Sequence, residues 1–249
     1  MTETIQHLIS KQINRWDLER KASAEAQRKE EEGLRLPATG KPALTISRQR
    51  GTRGKQLAGH LAHELAYGLF DREIIDYVAH HMGVRSELVE SLDEHDRSEM
   101  EFWFRNLMSQ RVFDHDAYAK ALGEVIKALS LQGGVVILGR GGNFMLQREN
   151  HAYHVRLVAP IEFRVQTLQE QEGMNERDAH HEIEQTDKAR ANFVKRYFHQ
   201  DINDPCAYDL TINMAHTQLD PAVKIITSAL RARGWTMNDT GGDKRRRSS

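Results

Sequence analysis

Residues 43–66 read ALTISRQRGTRGKQLAGHLAHELA, and the order of residue types in this stretch decides the fold. A short β-type run ends near Ser47 and Arg48, a polar glycine-containing loop follows, and a helical pattern begins at Gly54-Lys55. A strand, a glycine loop and a helix N-terminus in succession form a natural anion site, because unpaired backbone N–H groups and the helix dipole converge there. The common phosphate-loop pattern is G-x-x-x-x-G-K-[ST]. Here only the Gly54-Lys55 pair obeys it, with Gln49 at the first glycine position and Gln56 where a hydroxyl would follow the lysine.

The physical requirement is narrower than the pattern. Gly51 and Gly54 supply positions without a Cβ, and Lys55 stands at the helix start as a point charge for outer phosphates. Arg48, Arg50 and Arg53 surround the same turn, and Thr52 and Gln56 complete it. Taken alone, the stretch also fits a basic surface loop with a chance Gly-Lys pair. With no hydroxyl after Lys55, a magnesium ion here is expected to be held by water and the ligand's phosphates, with Asp71 behind them.

Working outward, strands alternate with helices. Leu44–Arg48 is the first strand, and Gly54–Tyr67 the first helix of this region, with Leu57, Leu61 and Leu65 on one face. A short strand ends near Asp71 and leads into a helix. Residues 84–133 are helical by periodicity, broken by loops around Asp93–Arg97 and Asp114. GGVVILGRGG holds the clearest buried strand, Val135 to Leu138, and AYHVRLVAP another, stopped by Pro160. Helices are expected over Ile161–Glu172 and Asn175–Gln200, the second capped by Asn175, then a strand over Tyr208–Asn213 and a helix over Asp220–Gly234. Such alternation predicts an α/β fold with a parallel sheet and right-handed crossovers.

Outside this region, residues 2–33 read as one helix. Ile5, Leu8, Ile9, Ile13 and Trp16 form an apolar stripe that fades into ERKASAEAQRKEEEG. The stripe can pack on the chain's own domain or serve self-association. LPATGKP is a linker, which gives an N-terminal helical extension over residues 1–38, a main domain over 39–235 and a disordered tail over 236–249.

Composition narrows the function classes. Hydrophobic residues make up 39% and charged residues 29% of the 249, and the net charge of −1 supplies no general attraction to nucleic acid. The basic residues also lack interleaved aromatics for base stacking, so nucleic acid is not the expected partner. No run of eighteen or more apolar residues occurs, so no membrane span is expected. The N-terminus lacks the pattern of a secretory signal, and the single cysteine, Cys206, fits a reducing cytoplasm; it is not read as a nucleophile. The pairs His60/His63, His80/His81 and His180/His181 are read as surface residues, and no metal-ligating set is predicted.

Two further groups suit anions. Arg140, held between glycines in GRGG beside Gly141, follows a buried strand at the edge where open α/β sheets bind ligands, as does Asp71. On the later helix, Asp187 and Arg190 are three apart on one face, from which Arg190 could reach a transferring phosphoryl group. The aromatics of EFWF (Phe102, Trp103, Phe104) either pack the helical segment or line an acceptor pocket.

Together, TISRQRGTRGKQLAGHLAHEL, LFDREIID, VVILGRGGNFML, VRLVAPIEFRV, EQTDKARANFVKRYF and DPCAYDLTIN resemble the cytidylate kinase-like family, a branch of the P-loop nucleoside monophosphate kinases. The resemblance covers roughly residues 42–231, and this branch shares the altered loop S-R-x-x-G-x-x-G-[KR]. It implies a P-loop NTPase-type, five-stranded parallel sheet flanked by helices, with a helical monophosphate-binding insertion and a mobile lid. It implies an ATP-dependent kinase, assisted by Mg²⁺, that passes the γ-phosphoryl group in line to a nucleoside monophosphate such as CMP or dCMP. Arg48, Gly51, Thr52, Arg53, Gly54, Lys55 and Gln56 would hold ATP; Asp71, Arg140 and Gly141 would face the acceptor; Lys55, Asp187 and Arg190 would serve the transfer. DREII lacks the hydroxyl and glycine of the family's Asp-[ST]-Gly turn, and the lid carries fewer arginines. These departures leave two alternatives: another small-molecule acceptor, or a non-catalytic nucleotide-binding sensor or interaction module.

Overall fold

The computed structural model describes residues 5, 7–16, 41–90, 92, 100, 117–147 and 149–235. In chain order it contains helix α1 (residues 7–16), strand β1 (Ala43–Arg48), α2 (Gly54–Glu64), β2 (Gly68–Phe70), α3 (Arg72–His80) and α4 (Met82–Glu90). There follow α5 (Ala117–Gln132), β3 (Val135–Leu138), the single turn α6 (Gly142–Met145), β4 (Ala152–Val158) and α7 (Ile161–Glu172). The chain then forms α8 (Glu176–Phe198), a 3₁₀ turn at Pro205–Ala207, β5 (Leu210–Asn213) and α9 (Leu219–Ala232). The loops expected near Asp93 and Asp114, the EFWF aromatics and the tail from residue 236 lie outside the described residues.

The five strands are all parallel, in the order β2-β3-β1-β4-β5. Val135 to Leu138 are buried without exception, as a strand covered on both faces requires. One apolar layer joins β1, β3 and β4 to α2 and α9 through residues such as Leu57, Leu61 and Ile226; the other packs α3, α5 and α8 on the opposite face. Since β1 has β3 on one side and β4 on the other, connections leaving its flanking strands open a crevice at the carboxyl end of β1.

The first helix of the domain is shorter than its periodicity suggests. It ends at Glu64, and Ala66 then takes a left-handed φ of 53° that turns the chain into β2. Helix α8 runs as expected: Asn175 caps it by accepting the N–H of Asp178 at 2.9 Å. The N-terminal stripe is used internally. Ile9, Ile13 and Trp16 are buried in the main core, with the Trp16 ring stacked on Phe70 at 6.0 Å, while Leu8 remains exposed. Among the described residues no helix is long and apolar enough to cross a membrane.

Candidate active site

The loop between β1 and α2 is shaped by close approaches. Gly51 has φ 83°, and a Cβ there would lie 2.6 Å from the Arg164 carbonyl oxygen on α7. At Gly54 a Cβ would meet Arg48 Cγ at 2.8 Å. These glycines therefore let the loop lie against α7 and Arg48. Thr52 is buried and its hydroxyl donates to the Gln49 carbonyl at 2.8 Å, so its side chain braces the loop. Gln49 ties the loop to β4, its N–H donating to Leu157 O at 3.0 Å and its Oε1 accepting from Ala159 N at 3.0 Å.

The N-terminus of α2 is left open. Arg53 at the cap adopts φ 58° and no side chain satisfies the first N–H groups, which keeps them free for an anion. Lys55 stands there with its side chain 77% exposed and its Nζ 3.6 Å from Asp71 Oδ2. Asp71 is fixed in turn, since its Oδ1 accepts the N–H groups of Glu73 and Ile74 and caps α3. Arg53 instead lies over the Phe163 ring at 5.3 Å, and Gln56 meets Gln171 at 3.3 Å. Both side chains therefore point toward α7, leaving Lys55 as the loop side chain at the open helix end.

Beside the loop lies a cavity of about 360 Å³ lined by Arg48, Arg72, Arg140, Arg190, Asn143 and Phe193, among others including Gly141. Arg140 has φ 51° between two left-handed glycines, so a non-glycine residue holds a disfavoured conformation at the cavity. The glycines are explained by protein neighbours: a Cβ on Gly139 would strike the Arg48 guanidinium, and one on Gly141 the Phe198 ring. Arg140 is paired with Asp76 and lies 5.3 Å from the Phe193 ring centre. Asp76 also accepts from the Tyr118 hydroxyl at 2.8 Å and sits 3.6 Å from Arg72.

One carboxylate thus serves two arginines, while Arg48 makes no ion pair among the described residues. Burial, then the nearby Arg190 charge, pulls the Arg48 guanidinium down to about 9 from 12.5. Burial likewise takes Arg190 down to about 10, against the opposing pull of Asp187. An arginine in a protein keeps its proton. The shifts express burial first and the repulsion of neighbouring cations after it, and a bound anion would oppose both.

Asp187 and Arg190 both reach the loop from α8. Arg190 Nη1 donates to the Arg48 carbonyl at 2.9 Å and lies 3.6 Å from Asp187. Asp187 accepts from Arg164 at 2.6 Å and from the backbone N–H of Arg50 at 2.8 Å. The Arg50 side chain is held by Glu172 and Glu182 at 2.6 and 2.9 Å, which clamps α7 and α8 onto the loop.

The fold therefore gathers Arg48, Arg140, Gly141 and Arg190 around one cavity and places Lys55 with Asp71 at the adjoining helix end. Sequence reasoning passed over Arg72, Asp76, Asn143 and Phe193 here. Arg72 and Asp76 were discoverable as an oppositely charged pair four apart beside Asp71. The donor set fits magnesium carried on nucleotide phosphates and water. Among the described residues no three His, Cys, Asp or Glu side chains converge, and Asp71, beside Lys55, is the carboxylate that would stand behind such an ion.

Comparison with known proteins shows the family of this chain. Residues 43–216 match the cytidylate kinase-like family. A cytidylate kinase of Natronomonas pharaonis is 29% identical over 84 residues, covering 34% of this chain and 44% of that relative, so the alignment spans less than half of its length. Among solved structures, an uncharacterized protein of Eubacterium ventriosum shares the fold at a TM-score of 0.61 with 21% identity, over 77% of this chain and 99% of that one. With the family match running from β1 past β5, the chain belongs to the cytidylate kinase-like family.

Proposed function

We propose that residues 39–235 form an ATP-dependent phosphotransferase whose acceptor is a small phosphate monoester, a nucleoside monophosphate such as CMP or dCMP. The observation that carries this reading is the arginine cavity. Arg48, Arg72, Arg140 and Arg190 line one space beside an open helix N-terminus, with Asp76 as the carboxylate paired to Arg140. A doubly charged phosphate supplies the missing negative charge, and guanidinium forks match its oxygens. Phe193 offers an aromatic face for a base.

In this reading Lys55 and the first N–H groups of α2 bind the donor phosphates, and Arg190 neutralises charge as the phosphoryl group moves. An acceptor oxygen forms the new bond to the terminal phosphorus while the bond to the β-phosphate oxygen breaks and ADP leaves. Such transfer asks the protein for position and charge, without a covalent intermediate. Magnesium carried on the nucleotide phosphates would add Lewis-acid charge neutralisation. Asp187 holds Arg164 and Arg190 in place and so orients the cations around the transfer.

The test is ADP release from ATP and Mg²⁺ across a panel led by CMP and dCMP, with Lys55→Ala and Arg140→Gln as controls. Release that depends on a pyrimidine monophosphate and on both residues is the expected result. Release with another phosphorylated acceptor moves the substrate but keeps the chemistry. One observation favours a non-catalytic nucleotide sensor: the Asp187 carboxylate already occupies a loop N–H. ATP binding without ADP release from any acceptor would select it.

A further inference from the structure

A second cavity, of about 260 Å³, shares Arg48, Arg190 and Ile202 with the acceptor cavity. Its distinctive wall is Arg156, Lys188 and Asn203. Arg156 belongs to β4 and is in register with Ser47 of β1, so this space borders β4, whereas Arg140 follows the end of β3. Among the described residues, four cationic side chains line it, Arg48, Arg156, Lys188 and Arg190, against the one carboxylate of Asp187. That carboxylate is shared among Arg164, the Arg50 N–H and Arg190, which lies 3.6 Å from it.

Arg156 is the decisive group. It is 5% exposed, yet its hydrogen bonds go to neutral partners, Ser47 Oγ at 2.7 Å and Asn203 Oδ1 at 3.3 Å, with the Tyr208 ring 5.7 Å away. Among the described residues it makes no ion pair. A buried cation without a counter-ion is expensive, and the remedy is a paired anion. Ser47 and Asn203 hold the guanidinium in place while its remaining donors stay available. A space this size falls below the roughly 300–1,000 Å³ of drug-sized ligand pockets but admits a tetrahedral oxyanion with water.

We infer that this cavity is a second oxyanion subsite, centred on Arg156 and completed by Lys188, Arg48 and Arg190, that binds a phosphate group. It shares two arginines with the acceptor cavity, so occupation of one weakens the other's hold on its anion, and two phosphates bound together are anticooperative. The inference needs neither a particular acceptor nor catalytic turnover, so it stands or falls separately from the kinase reading.

Calorimetric titration of the full chain with inorganic phosphate at low ionic strength tests it. Arg156→Gln should weaken an otherwise measurable phosphate affinity by about tenfold or more, the usual scale for hydrogen bonds to a charged group. Lys188→Ala, at an exposed position, should weaken it by about threefold without disturbing the fold, and serves if Arg156→Gln does not fold. Arg140→Gln, across the sheet, should leave this binding event in place. Unchanged affinity in Lys188→Ala together with unchanged affinity or failed folding in Arg156→Gln overturns the proposal. Loss confined to Arg140→Gln also overturns it, because the phosphate then belongs to the acceptor cavity. Repeating the titration with ADP present identifies the source: competition assigns the subsite to a nucleotide's own phosphate, and independent binding assigns it to free inorganic oxyanion.

Discussion

The Asp187 carboxylate accepts the backbone N–H of Arg50 at 2.8 Å, so a side chain of the long helix α8 rests on a donor of the β1–α2 loop. A carboxylate at that point does in part what a phosphate oxygen would do. Its other oxygen is taken by Arg164 at 2.6 Å, and Arg190 lies 3.6 Å from the first. In the proposed reading, a polyphosphate binding at the loop would meet this negative charge. Asp187→Asn keeps an acceptor for the N–H and removes the repulsion. It should tighten ATP binding by about tenfold, ~1.4 kcal/mol, while loosening Arg164 and Arg190 and lowering turnover. Calorimetry with ATP checks this; weaker binding in the variant would show that the carboxylate supports the phosphates instead of competing with them.

Lys55 separates function from stability. Its side chain is 77% exposed and its nearest charged partner, Asp71, is independently held by two backbone N–H groups of α3. Lys55→Ala should therefore change unfolding free energy by less than about 0.5 kcal/mol. The rate of ADP formation should fall by roughly 10²–10³-fold, as for removal of an electrostatic group at a reacting centre. Equal turnover by the variant would remove Lys55 from the transfer.

The apolar stripe of α1 gives an opposite expectation. Trp16 is buried and stacks on Phe70 at the edge strand β2, while Gly68 leaves room for the Gln12 side chain. Trp16→Ala should cost about 3 kcal/mol through the lost burial and the cavity left behind. Sedimentation of the variant should show an unchanged mass, because the stripe's inner residues already lie in the chain's own core. A drop in mass with stability preserved would return the stripe to a role in self-association.

The parts of this molecule that could be read from residue order are those governed by local chemistry. The run Val135–Leu138 between glycines, the Asn175 cap, and the strand–loop–helix passage through Gly54 each depend on neighbours in sequence. Arg140 was legible as an arginine at the carboxyl edge of the sheet, although its glycines answer to Arg48 and Phe198. What escaped is pairing across the sheet. Arg156 reads as an ordinary alternating residue in AYHVRLVAP until β4 is laid beside β1 and its guanidinium meets Ser47. Asp76 is a solvated helix residue until α5 brings Tyr118 and the β3–α6 turn brings Arg140 to it. Thr52 illustrates the converse, a loop hydroxyl that looked available and is buried against its own loop.

The same sheet contains a pH-sensitive element. His154 of β4 is buried, with Nδ1 2.8 Å from the Thr45 hydroxyl and Nε2 3.2 Å from the Leu146 carbonyl. The carbonyl can only accept, so Nε2 carries a proton, and the Thr45 hydroxyl can donate to Nδ1 of a neutral ring. Burial lowers its pKa below the ordinary 6.5, against the opposing influence of Asp209. The folded state therefore resists the proton that the unfolded chain accepts. As pH falls through 6.5, the unfolded state binds more protons and stability declines, until the folded pKa is passed. Denaturant melts at intervals between pH 8 and 5 should show wild-type stability falling faster than that of His154→Gln. The constant offset between the two curves reports the lost Thr45 and Leu146 contacts; the difference in slope reports the titration. Parallel curves would mean that His154 takes its proton as readily in the folded sheet as in the open chain.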